Sequence, residues 1–78
     1  MTSFNRIEQK RLNELGSKLR TIRESKNLSL QDLGYIIDKE PQSISRVENG
    51  KTNPTYLYLL ELCRGLEIDI SDLFNNKL

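Results

Sequence analysis

In the run PQSISRVENG, Gln42, Ser45, Arg46 and Asn49 recur at spacings of three and four, and each side chain carries hydrogen-bond donors. At the helical period of 3.6 residues they share one face, while Ile44, Val47 and Glu48 share the roughly opposite one. Glutamine amides and arginine guanidinium groups can pair with base edges, and serine and asparagine with phosphate oxygens. A merely solvated helix face would carry the same residue types, so this helix alone leaves both readings open. Its limits are marked: Glu40 can cap it, Pro41 suits a first position whose amide has no intrahelical partner, and Gly50 suits its end.

The elements that must hold this face lie on either side. Ser29 followed by Asp32 resembles a capping box, and Leu30, Leu33, Ile36 and Ile37 supply an apolar stripe for a preceding helix. Gly34 leaves room for a second helix to cross closely, and Asp38 and Lys39 form a short polar connection. Two short helices joined so tightly make residues 29–50 a helix-turn-helix candidate, against the alternative of an ordinary helical hairpin.

Towards the N-terminus, Ser3 or Asn5 can cap a helix, Asn5 having Glu8 three residues on. Phe4, Ile7, Leu12, Leu15, Leu19 and Ile22 fall on one stripe, predicting a long helix over about residues 5–25. Gly16 inside it costs about 1 kcal/mol relative to Ala, so a break there into two shorter helices is the alternative. Phe4 and Ile7 lack an obvious core within one subunit, which points them at a partner subunit. Towards the C-terminus, Thr55 caps a helix through about Arg64 with Tyr56, Leu59, Leu60, Leu62, Cys63 and Leu66 on a broad apolar face. Asp69 opens a last short helix with Ile70, Leu73 and Phe74, and the chain ends on the polar run NNKL. Leu57 and Tyr58 sit at the edge of the apolar face, and exposed apolar residues near a chain end often mark an interface.

The stretch LGSKLRTIRESKNLSLQDLGYIIDKEPQSISRVENGKTNPT, continuing through LYLLELCRGLEIDISDLF, resembles the Cro and phage-repressor helix-turn-helix domains, the xenobiotic-response-element family of regulators. The resemblance covers roughly residues 15–74, and SISRVENGKTNP is its most specific piece. It implies an all-α, five-helix, lambda-repressor-like fold, here with an extended N-terminal helix, whose second motif helix lies in the DNA major groove. It places Gln42 and Arg46 at base-reading positions with Ser45 between them, and Ser43, Asn49 and Lys51 at phosphates. It matches Arg23 and Glu48 to an ion pair tying the first helix to the recognition helix. It also carries the Lys51–Pro54 loop near the DNA backbone. Two positions depart from the pattern. The glutamine that grips a phosphate one residue past the first motif cap is Leu30 here, with Gln31 following it as the phosphate candidate. Pro41 stands where the family often has Gln or Ser, which shifts base reading onto Gln42 and Arg46.

Seventy-eight residues allow one domain, 1–78, comprising a helical extension at 1–12 and the motif at 29–50, with no room for a ligand-sensing domain. The net charge of +1 hides an asymmetry: seven Lys or Arg against three Glu in residues 1–26, three against four acids in 27–54, and two against four in 55–78. Such a gradient can orient a domain on DNA with its acidic end away from phosphate, although Lys10, Arg11, Lys18 and Arg20 can equally solvate a helix. One Cys and no His give neither an internal disulfide nor a zinc site of usual ligand type, and Cys63 reads as a small buried apolar residue. No nucleophile with its base and no glycine-rich phosphate loop is present, so no enzyme, metal or cofactor is expected. With no membrane-spanning run and no signal peptide, a cytoplasmic location is the expectation. The combined expectation is a homodimer binding a palindromic operator in double-stranded DNA and regulating transcription. The alternatives are an antitoxin-like or other protein-interaction module with a protein partner, and a helical assembly domain that never meets DNA.

Overall fold

The Asn5 side chain accepts the Glu8 amide at 2.8 Å while the Glu8 carboxylate accepts the Asn5 amide at 3.0 Å, and this reciprocal cap opens α1, Arg6–Ser25. The computed structural model describes residues 3–74, so the polar tail NNKL lies outside the described residues. α1 runs unbroken through Gly16, which rules out the alternative of two shorter helices. The reason is tertiary. A Cβ on Gly16 would collide with the backbone carbonyls of Val47 and Glu48, so the glycine lets α1 cross the end of another helix in backbone contact.

α2, Leu30–Ile37, begins on the expected capping box of Ser29 and Asp32, both bonds at 2.9 Å. It ends on Asp38 in the left-handed conformation, whose short polar side chain tolerates φ of 57° better than a bulky one would. α3, Pro41–Glu48, follows after Lys39 and Glu40, with Pro41 at its first position; Glu40 occupies the cap position but makes no side-chain cap bond. α4, Tyr56–Leu66, is capped by the Thr55 hydroxyl and closed by Glu67 in the left-handed conformation.

The core gathers Leu19 from α1, Leu33 and Ile37 from α2, Ile44 and Val47 from α3, and Leu59, Leu62, Cys63 and Leu66 from α4. Leu73 closes it from the C-terminal segment. Among the described residues these are four α-helices and not the five expected. The segment Ile70–Leu73 is a single 3-10 turn. Its bonds are of the tighter kind, from Asp72 N–H to the Asp69 carbonyl and from Phe74 N–H to the Ser71 carbonyl, and four residues are too few to establish an α-helical ladder.

Gly34 admits the Lys39 carbonyl of its own turn, 2.5 Å from where a Cβ would stand, and the Pro41 ring that opens α3. Two packing expectations change. Ile36 leaves the core stripe and is substantially exposed, since on an eight-residue helix Leu33 and Ile37 already span the buried face. Tyr56 and Phe74 are likewise exposed despite their place in the expected apolar faces. No described helix is long and apolar enough to cross a membrane.

Candidate nucleic-acid interface

α3 divides as its period dictates. Ile44, Val47 and Glu48 are buried, Gln42, Arg46 and Asn49 are exposed, and Ser43 and Ser45 lie half-buried between the two faces. Burial of Glu48 on the apolar side requires compensation, and Arg23 of α1 supplies it. The Arg23 Nε and Nη2 groups donate to the two Glu48 carboxylate oxygens at 2.7 and 3.0 Å, and Nη1 donates to the Leu28 carbonyl at 2.7 Å. The bidentate carboxylate holds the Arg23 guanidinium pKa above its usual range, outweighing the opposing effect of burial. One guanidinium thus fixes α3 to α1 and to the loop that launches α2.

The N-terminal end of α3 is held from α4. The Ser43 hydroxyl donates to the Glu40 carbonyl at 2.8 Å, which uses its one proton, so the 2.6 Å contact with the Tyr58 hydroxyl has Tyr58 as donor. The Lys39 ammonium stands 5.6 Å above the Tyr58 ring, a cation–π contact that draws the turn against α4. At the other end, Asn49 donates to the carbonyl and hydroxyl of Ser45 at 3.0 and 3.2 Å, and the chain leaves the helix through Gly50 at φ of 69°.

The structure brings most of the expected contact residues together. Gln31 and Ser43 line one shallow open cleft at the turn, with Tyr35, Lys39 and Pro41; Ser43 and Arg46 line a second, with Thr52 to Thr55 and Tyr58. Lys51 is exposed one residue beyond Gly50, and its amide donates to the Arg46 carbonyl at 2.9 Å. Arg23 and Glu48 meet as the resemblance implied. Sequence reasoning placed Tyr58 at the edge of an apolar face and missed its hydroxyl bond. Gln9 and Asn13, which reach Gly50 from α1, were missed as well. The available signal was their spacing with Gly16, i, i+4 and i+7, a polar and small stripe on an otherwise apolar-striped helix.

A family model described as helix-turn-helix matches residues 19–73. The control protein C.MunI of a Mycoplasma species is 36% identical over 62 residues, spanning 78% of this chain and 84% of that protein. Among solved structures, the restriction-modification controller protein C.AhdI from Aeromonas hydrophila superposes with a TM-score of 0.79 at 30% identity, covering 81% of this chain and 96% of its own. The clp gene regulator ClgR from C. glutamicum gives 0.78 at 25% identity, over 82% and 83% of the two chains.

Proposed function

Because the chain belongs to the helix-turn-helix family that matches it over residues 19–73, we propose that it recognises an operator through the exposed face of α3. It is a DNA-binding transcriptional regulator, and the operator reading gives that role a geometry. The observation that carries it is the division of α3: one face is locked by the core and a buried ion pair, leaving Gln42 and Arg46 on a rigid exposed face. Rigid presentation favours base reading, because little side-chain and backbone freedom is then lost on binding.

In this reading Gln42 and Arg46 contact base edges, with Ser45 between them, and Asn49, Lys51 and Gln31 contact phosphates. Ser43 contributes to the phosphate set as well, although donating to a phosphate would take its proton from the Glu40 carbonyl. The functional unit is a homodimer on a palindromic site, each recognition helix entering one of two successive major-groove turns. Exposed Ile7, Leu57, Tyr56 and Phe74 supply apolar surface for that association. The solved restriction-modification controller C.AhdI resembles this chain along 96% of its own length, which supports a compact regulator of the same kind.

Footprinting on the DNA immediately upstream of the chain's own gene, at physiological salt with a scrambled duplex as competitor, tests the reading. Protection of two symmetric half-sites is the expected result. Absence of protection from a folded protein would overturn it.

A further inference from the structure

Gln9 lies on the N-terminal extension of α1, away from the ion pair, and reaches 41 positions along the chain. Its Nε2 donates to the Gly50 carbonyl at 2.7 Å and to the Asn13 Oδ1 at 3.0 Å, so both amide protons have acceptors and the side chain has one orientation that satisfies them. Asn13 in turn rests against the bare Cα of Gly50, where any Cβ would collide with its Oδ1. Gly50 occupies the left-handed region that lets the chain turn away from α3. Gln9, Asn13, Gly16 and Arg23 fall within about 80° of one another on α1. This single stripe therefore meets the end of α3 at successive points: the Gly50 carbonyl, the Gly50 Cα, the carbonyls of Val47 and Glu48, and the Glu48 carboxylate.

We propose that Gln9 is a positioning residue for DNA recognition, holding through Gly50 the turn that carries Asn49 and Lys51 beside the groove. This inference rests on the operator reading above. The linkage to α3 is through the backbone: Lys51 N–H donates to the Arg46 carbonyl and Gly50 N–H to the Val47 carbonyl at 3.1 Å, so loosening the Gly50 peptide loosens both bonds. A turn held from outside the helix presents Lys51 to a phosphate in one register. That register aligns Gln42 and Arg46 with particular base pairs, since phosphate contacts fix where base contacts fall.

The test is Gln9→Met, which keeps side-chain length and removes both donors, alongside Asn13→Asp, which keeps the acceptor for Gln9. Two quantities are read: amide hydrogen exchange at Gly50 and Lys51, and the ratio of affinities for the footprinted operator and the scrambled duplex. In Gln9→Met, exchange at both amides quickens about 3- to 10-fold and the affinity ratio falls by a similar factor, the share of one net hydrogen bond. Leu33 and Leu62 amides keep their wild-type exchange. Asn13→Asp lowers both affinities through its charge and leaves the ratio intact. Unchanged exchange in Gln9→Met, or faster exchange with an unchanged ratio, overturns the proposal. A wild-type chain that shows no operator preference overturns the operator reading itself, and the exchange data then report the clamp separately.

Discussion

Arg46 and Glu48 are two positions apart and do opposite work, which shows how much a residue's role depends on the face it occupies. Arg46→Ala leaves the core untouched and removes a guanidinium able to pair bidentately with guanine. The expected loss is about 1–3 kcal/mol of discrimination between operator and mismatched duplex, measured by salt-controlled titration. Glu48→Ala strands a buried guanidinium, and breaking such a pair by removing one partner costs about 3–5 kcal/mol, read by urea unfolding. Replacing Arg23 and Glu48 together with apolar residues of similar volume should restore most of that loss, because desolvation then falls on neither partner. Asp32 gives a pH signature. The Ser29 amide and hydroxyl hold its carboxylate below its ordinary pKa of 3.8. A depressed folded-state pKa contributes stability present above the unfolded value and lost as pH falls through the folded one. Asp32→Asn should therefore be less stable than wild type above pH 3.8 and approach it only as pH falls through the lowered folded-state pKa, measured by acid titration of the unfolding free energy.

Among elements, the crossing of α1 over the end of α3 is the most constrained contact, and Gly16 is where two effects can be set against each other. Gly16→Ala gains about 1 kcal/mol of helix propensity. Against this, the new methyl meets the Val47 and Glu48 carbonyls, which are backbone and cannot swing aside as a flexible side chain would. Overpacking of this kind costs about 1–3 kcal/mol, and here it should fall at the upper end. The net expectation is destabilisation, seen as a fall in Tm of several degrees by circular dichroism. The same substitution on an exposed helix face would raise Tm, so the sign of the change reports whether the crossing is as close as described.

At the scale of the molecule, the core leaves large apolar residues uncovered on α1 (Ile7), α2 (Tyr35, Ile36) and α4 (Tyr56, Leu57) and at Phe74. Ile7 is 70% exposed on α1 and Leu57 is 71% exposed on α4. Both are largely exposed in the subunit, so, if the proposed homodimer uses this surface, Leu57→Glu should leave the unfolding midpoint nearly unchanged while lowering the mass seen by light scattering from dimer to monomer. Unaltered mass would remove Leu57 from the interface. Ile7→Glu tests the N-terminal extension better than truncating it, because deleting residues 1–9 would also remove Gln9 and its bond to Gly50. The extension thus has an anchor within the subunit that its apolar residues alone did not indicate. Lys51→Ala should weaken operator and scrambled duplex alike and reduce the salt slope by about 1.

The division of α3 into a buried and an exposed face follows from the 3.6-residue period alone, as do the Asn5–Glu8 and Ser29–Asp32 caps, because each relation spans no more than a few turns of one helix. Local arithmetic also set the start of every helix within a residue or two. The Arg23–Glu48 pair was reached only through the family resemblance: it joins residues 25 apart, and no period within one helix relates them. The Tyr58–Ser43 bond, the reach of Gln9 to Gly50 and the reason for Gly16 were decided by how α1 and α4 lie across α3. Such contacts depend on the angle and depth at which helices cross. Those are set jointly by all the side chains of the core, which is why a glycine that costs α1 stability by itself is what allows α1 to touch the recognition helix.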